Sequence, residues 1–142
     1  MLMLAITSTV GFGYAQKVNS SDVPSVVTSK FSSLYPGSKA DQWKKEKGNY
    51  ETKFTANTAK MCVIIDPNGS VVKTTTAITT SELPQSVNDY MAKNYANEKM
   101  TEVSKTIEAD GKIRYEAEVK ATRLCFDSNG NFVKSEKCKS KV

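Results

Sequence analysis

Apolar positions in this chain alternate between two periods, and the same succession of periods occurs twice. Val23, Val26, Val27, Phe31 and Leu34 recur at helical spacing, while Ser25, Thr28, Ser29 and Ser32 fill the opposite side. Pro36-Gly37 must then turn the chain. Residues 39–47 carry Trp43 among lysines and predict a strand, with Gly48-Asn49 turning into the next. Tyr50, Thr52 and Phe54 alternate with Glu51 and Lys53, as a strand with one wet face should. After a break at Asn57, Met61, Val63 and Ile65 continue the inner face, and Cys62 and Ile64 fall on the other. The second round starts with Leu83, Val87, Met91 and Tyr95 at helical spacing, and Met100 and Val103 begin a strand. Tyr115-Glu116 leads the next strand to Val119, and Leu124 to Phe126 follow a break near Thr122. Such self-similarity outranks any single element as a guide to architecture.

The punctuation repeats too. Asp22 or Ser21 is expected to cap the first helix and Thr80 or Ser81 the second, with Pro24 in a first turn that needs no N–H. Each final hairpin turns on Asp-x-Asn-Gly, at Asp66 to Gly69 and at Asp127 to Gly130, with the glycine in the left-handed position of a three-residue loop. That geometry sets Ile65 against Val71, Phe126 against Phe132 and Cys125 against Val133. Carried on, it puts Cys138 opposite Lys120, on the sheet face away from Cys125. At about 3.3 Å per residue the two sulfurs are too far apart to bridge. Cys62 and Cys125 occupy corresponding strands of different repeats, so no intramolecular disulfide is expected; Cys138 could pair between molecules. Between Val103 and Tyr115 the second repeat carries five more residues than the first does between Trp43 and Tyr50.

Residues 1–10 are apolar and rich in small side chains, and Gly13-Tyr14-Ala15 follows, which reads as a signal peptide over residues 1–15 cleaved after Ala15. The basic n-region is missing, so translation starts upstream or the signal is weak; a buried first strand is the plainer alternative. Residues 16–21 read as a polar, mobile leader. The repeats then occupy residues 16–79 and 80–142, and no other run approaches a membrane span. The net charge of +5 is carried almost wholly by lysine, with Arg114 and Arg123 the only arginines. Scattered lysine is a solubilising surface rather than the Arg-rich footprint of a nucleic-acid reader.

The order of these features resembles the PepSY-like domain of secreted bacterial proteins, also described as similar to beta-lactamase-inhibitory protein. It rests on Val23-Pro24, Tyr35-Pro36-Gly37, Trp43, Tyr50-Glu51 and Asp66 to Gly69, and again on Leu83-Pro84, Tyr95, Tyr115-Glu116 and Asp127 to Gly130. The resemblance implies an α+β fold: two tandem helix-plus-four-strand antiparallel repeats forming one curved sheet with helices on one face. It also implies a periplasmic or secreted location and a binding role, since relatives by fold include inhibitors that grip an enzyme with the concave sheet face. The contact residues of those inhibitors do not map onto this chain, so inhibition of beta-lactamase does not carry over.

Candidate chemistry is sparse. There is no histidine, and acid-base work would fall to carboxylates such as Glu116 and Glu118, which share a strand face but also read as a solvated surface balancing Lys120 and Arg123. The Asp-x-Asn-Gly loops lack the ligands of a calcium loop and are explained as turns. Cys62 and Cys125 lack a basic partner that would activate a thiol. No catalytic set, metal or cofactor is implied. The candidate site is the open sheet face, where alternation places Glu51, Lys53, Ile64 and Val72 from one repeat and Glu116, Glu118, Arg123 and Val133 from the other. Trp43 is either core or a binding hot spot on that face. The expected function is an exported, non-enzymatic module binding an as yet unknown protein partner. Nucleic acid and membrane insertion are not expected. The alternative is a carrier of a small ligand or envelope-stress signal, binding between the repeats.

Overall fold

The computed structural model describes residues 15–138. Nine strands form one antiparallel sheet in which spatial order follows chain order throughout. They are β1 (Gln16–Val18), β2 (Trp43–Glu46), β3 (Asn49–Ala56), β4 (Ala59–Ile65), β5 (Val71–Ala77), β6 (Glu102–Glu108), β7 (Ile113–Val119), β8 (Thr122–Phe126) and β9 (Phe132–Lys137). Helix α1 (Ser25–Leu34) joins β1 to β2, and α2 (Gln85–Asn94) joins β5 to β6. Apart from Ala15, the expected signal segment lies outside the described residues.

Register shows that both helices lie on one face. Val63 opposes Thr74, Thr74 opposes Ile107, and Val103, four residues from Ile107, opposes Ala117 and through it Leu124. Directly opposed residues share a face, as do residues an even number apart on one strand. Val63 packs in a core with Val27 and Phe31 of α1, while Val103, Ala117 and Leu124 pack with Val87 and Met91 of α2. There are thus two hydrophobic cores on one side of a continuous sheet.

Several local expectations change. The supposed leader is β1, whose Val18 opposes Trp43 and packs against the first core. Its three residues are too few and too polar to show an alternation. β1 stands to α1 as β5 stands to α2, so β5 both ends the first helix-and-strand succession and starts the second. Neither helix is capped by Asp22, Ser21, Thr80 or Ser81, because a 3-10 turn intervenes, at Ser20–Asp22 and at Thr80–Glu82. Pro24 and Pro84 are the N-cap residues. The capping box belongs to the second 3-10 turn, where Thr79 N–H donates to Glu82 Oε2 at 2.7 Å. Val26 and Leu34 are exposed, which leaves Val23, Val27 and Phe31 as the buried row.

The turn into β3 is Lys47-Gly48, both with positive φ, rather than Gly48-Asn49. Asn57-Thr58 and Lys120-Ala121 likewise form two-residue turns with positive φ at both positions, the geometry favoured by twisted hairpins. Part of the five-residue excess of the second repeat lengthens β6, which has seven residues against four in β2. It therefore pairs with β5 from Lys73–Glu108 to Ala77–Ser104, whereas β1 and β2 share only three pairs.

The two Asp-x-Asn-Gly loops tuck under the helix starts. Asp127 Oδ1 accepts the N–H groups of Asn129 and Asn131 at 2.9 Å each, and Asp66 Oδ1 does the same for Asn68 and Ser70. Ser86 Oγ donates to Asn129 O at 2.7 Å. At Gly130, φ is +80° and a Cβ would lie 2.0 Å from Ser86 Oγ and 2.9 Å from Pro84 Cβ, so glycine is required twice over.

Candidate functional site

The face opposite the helices is built from four cross-strand rows. Lys44, Glu51, Ile64, Lys73 and Glu108 form the first. Lys53, Cys62, Thr75, Thr106 and Arg114 form the second. Ser104, Glu116, Cys125 and Lys134 make a third, and Glu102, Glu118, Arg123 and Glu136 a fourth. At the centre the Thr75 and Thr106 hydroxyls are 2.8 Å apart, which ties the two repeats together where β5 meets β6. Charges on this face pair locally: Arg114 Nε lies 3.1 Å from Glu108, Arg123 Nε 3.5 Å from Glu116, and Lys134 meets Glu136. These are partly exposed pairs, worth little to stability and free to exchange partners.

Two hollows mark the face. One of about 540 Å³ is lined by Glu46, Glu51, Ile64, Val72, Lys73 and Glu108 among others. A second of about 740 Å³ spans both repeats, and Lys53, Cys62, Thr75, Glu116, Glu118 and Arg123 contribute to it.

Of the expected site residues, Glu51, Lys53, Ile64, Glu116, Glu118 and Arg123 share this face by register. Trp43 does not. It opposes Thr52 and through it Val63, lies 4% exposed in the first core, and meets Phe31 edge-to-face with centroids 5.8 Å apart. The alternation from Trp43 to Glu46 puts Lys44, not the indole, on the open side. Val72 and Val133 reach their positions by a route alternation cannot give. A bulge sets Lys73, not Val72, directly against Ile64, and a matching one sets Lys134, not Val133, against Cys125. A bulge opposes two residues to one, and Val72 lines the first hollow beside Lys73, while Val133 is 57% exposed next to Lys134.

The same shift moves Cys138. Its N–H donates to Ala121 O at 2.7 Å, so it opposes Ala121 rather than Lys120, and it shares the face of Cys125 instead of the reverse one. Cys138 lies four residues along β9 from Lys134, which opposes Cys125, so the two cysteines are still about 13 Å apart, beyond a bridge. Cys62, Cys125 and Cys138 are all free thiols. Burial, with Glu51 beside it, pushes the Cys62 thiol up to about 12, and burial raises Cys125 as well. Both stay protonated at neutral pH, the opposite of an activated nucleophile.

Lys73, Thr75, Thr106, Glu108, Arg114 and Lys134 belong to the face but were missed by the sequence reading. Counting in twos from Thr75, or back from Glu116 to Arg114, would have found several of them. Among the described residues no group of three or more Cys, Asp or Glu side chains could hold a metal ion, and no helix is long and apolar enough to cross a membrane.

Comparison with solved structures gives close agreement in fold. A protein of Bacteroides eggerthii, provisionally described as periplasmic, superposes with a TM-score of 0.74 at 18% identity over 80% of this chain and 88% of its own. A DUF2874 family protein of Bacteroides uniformis gives 0.73 at 18% identity over 84% and 92%. A BLIP-like protein of Bacteroides fragilis gives 0.62 at 19% identity over 84% and 91%. No curated protein matches the sequence. A family profile, provisionally described as beta-lactamase-inhibitor-like and PepSY-like, matches residues 13–73 and again residues 64–134. Each match holds one helix, and the second takes in β5 where the first takes in β1. With nearly the whole described chain covered by two successive matches to one motif, the protein belongs to the PepSY-like family.

Proposed function

We propose that this chain is an exported, non-enzymatic module that binds a protein partner on its helix-free sheet face, in an inhibitory or regulatory capacity. The reading rests on that face. Both helices and both cores lie on the other side, while here apolar Ile64, Val72 and Cys62 sit among side chains of both charge signs. Apolar residues ringed by exchangeable charge suit an interface that forms and dissociates. The periplasmic descriptions of fold relatives and the signal-like N-terminus support an envelope location. In this reading the repeats are helix-plus-four-strand units whose common sheet curves so that the open face is concave. Catalysis has no support from the thiols, since those of Cys62 and Cys125 are held protonated, and the carboxylates of the second hollow, Glu116 and Glu118, sit beside Lys53 and Arg123 as a charge-balanced surface.

The test is affinity capture from the producer's envelope extract, with the wild-type chain and the Lys53→Glu/Arg123→Glu variant as baits. The expected result is one saturable partner, lost with the variant while circular dichroism is unchanged. Identical captures by both baits would remove the open face from the account.

A second reading is favoured by the hollow of about 740 Å³ that both repeats line, which has the size of a small-ligand site. A carrier would gain thermal stability with a small molecule, and Lys53→Glu/Arg123→Glu would abolish that gain.

A further inference from the structure

The sheet ends unequally. β1, at one edge, is three residues long, whereas β9, at the other, has six, all exposed. β9 ends the second repeat as β5 ends the first. The outer edge of β5 is taken by β6, while among the described residues no strand pairs with the outer edge of β9. That edge is therefore a position which, elsewhere in the same molecule, accepts an antiparallel strand.

Its hydrogen-bonding groups can be assigned. Cys138 N–H donates inward to Ala121 O. Antiparallel residues alternate between bonded and non-bonded pairs. Stepping back along β9, Glu136 and Lys134 bond inward to β8, and Lys137 and Ser135 turn N–H and C=O outward. A second antiparallel strand centred on an inward residue would set Lys134 against Lys134 or Glu136 against Glu136 of the copy, like charges directly across, which leaves the outward residues as centres.

Centred on Ser135, a second copy of β9 sets Lys134 opposite Glu136 of that copy, and Glu136 opposite its Lys134. Both residues lie on the open sheet face, so the two ion pairs form on one side of the joint sheet. Centred on Val133, the same strand would set Lys134 against Phe132 with no charge partner. Opposite charges directly across a strand pair stabilise it, and like charges disfavour it.

We propose that the chain forms a two-fold dimer by antiparallel pairing of β9 with β9 of a second copy, about an axis through Ser135 and perpendicular to the sheet. The two Ser135 residues exchange N–H···O=C bonds, flanked by the two Lys134–Glu136 pairs. Helices remain on a common side, and the open faces join into one eighteen-strand surface, twice the nine of a single chain. The exposed Val133, 57% accessible, comes opposite the stem of Lys137.

Sedimentation velocity over a concentration series tests this with the full chain. Wild type is expected to show a reversible monomer–dimer equilibrium. Ser135→Pro removes an N–H that β8 does not use, and proline is tolerated on an edge strand, so this variant should sediment as monomer with unchanged circular dichroism and melting temperature. Lys134→Glu should weaken the dimer at least tenfold, and Lys134→Glu/Glu136→Lys should restore it, a rescue that loss of fold cannot produce. Monomer at every soluble concentration of wild type overturns the proposal, as does a dimer indifferent to Ser135→Pro and to the charge exchange. An edge reserved for an extended segment of another protein would give the first of these results.

Discussion

Trp43 shows how a single side chain is decided by register rather than by its own character. As a lone indole among lysines it could be core or contact, and the pairing of Trp43 with Thr52 places it under α1 with Phe31 and Phe54. Trp43→Ala should therefore cost about 3–5 kcal/mol in urea unfolding, and the folded fraction should still bind whatever the open face binds. Strain is readable at residue scale as well. Thr58 and Ala121 hold φ of 68° and 59° in two-residue turns, where a left-handed L-residue costs roughly 1–2 kcal/mol. Thr58→Gly, which makes an Asn-Gly turn, should raise stability by about 0.5–1 kcal/mol after the glycine's chain-entropy cost. A lower melting temperature for Thr58→Gly would contradict that turn geometry. The breaks at Asn57 and near Thr122 were legible in the sequence, but the positive-φ geometry was not, because neither threonine nor alanine advertises it.

At the scale of elements, the helix-to-hairpin contact is what each repeat is built around, and Asp-x-Asn-Gly is its sequence mark. Gly130→Ala should be the worse of two equivalent substitutions, by about 2–4 kcal/mol, since its Cβ would meet Ser86 and Pro84, while at Gly69 it would meet Val26 Cγ2 at 2.8 Å. Chemical denaturation of Gly130→Ala and Gly69→Ala gives the ranking directly. The same loop carries a pH signature. Hydrogen bonds from Asn131 and Asn129 hold the Asp127 carboxyl below its ordinary value of 3.8. A depressed folded-state value contributes stability that is present above 3.8 and is lost as pH falls through the folded value. Asp127→Asn should thus be less stable than wild type at neutral pH, with the gap closing in acid below pH 4. A gap independent of pH would assign the effect to shape alone. Elements marked by strong periodicity or by Asp-x-Asn-Gly were legible in the sequence. The brief polar β1 and the bulges after Ile64 and Cys125 were not, and each bulge displaced every later pairing on its hairpin by one residue.

For the whole molecule, the sequence showed two matched halves, and the structure adds how they are joined. Lengthened β6 pairs with β5 from Lys73 to Ala77, and the Thr75–Thr106 contact lies at the join, so residues of both repeats face one way across a single sheet. Six of the nine expected site residues share that face by simple alternation, Val72 and Val133 flank it through bulges, and Trp43 lies behind it. The central claim is that this face, and not the helical one, meets a partner. Lysine acetylation footprinting of the captured complex tests it most directly, because both faces carry exposed lysines: Lys53, Lys60 and Lys73 on the sheet, Lys30 and Lys93 on the helices. The account predicts that complex formation protects the first three and leaves Lys30 and Lys93 as reactive as in the free chain. Protection of Lys30 and Lys93 with Lys53 and Lys73 still reactive would contradict it and move the binding surface to the helices.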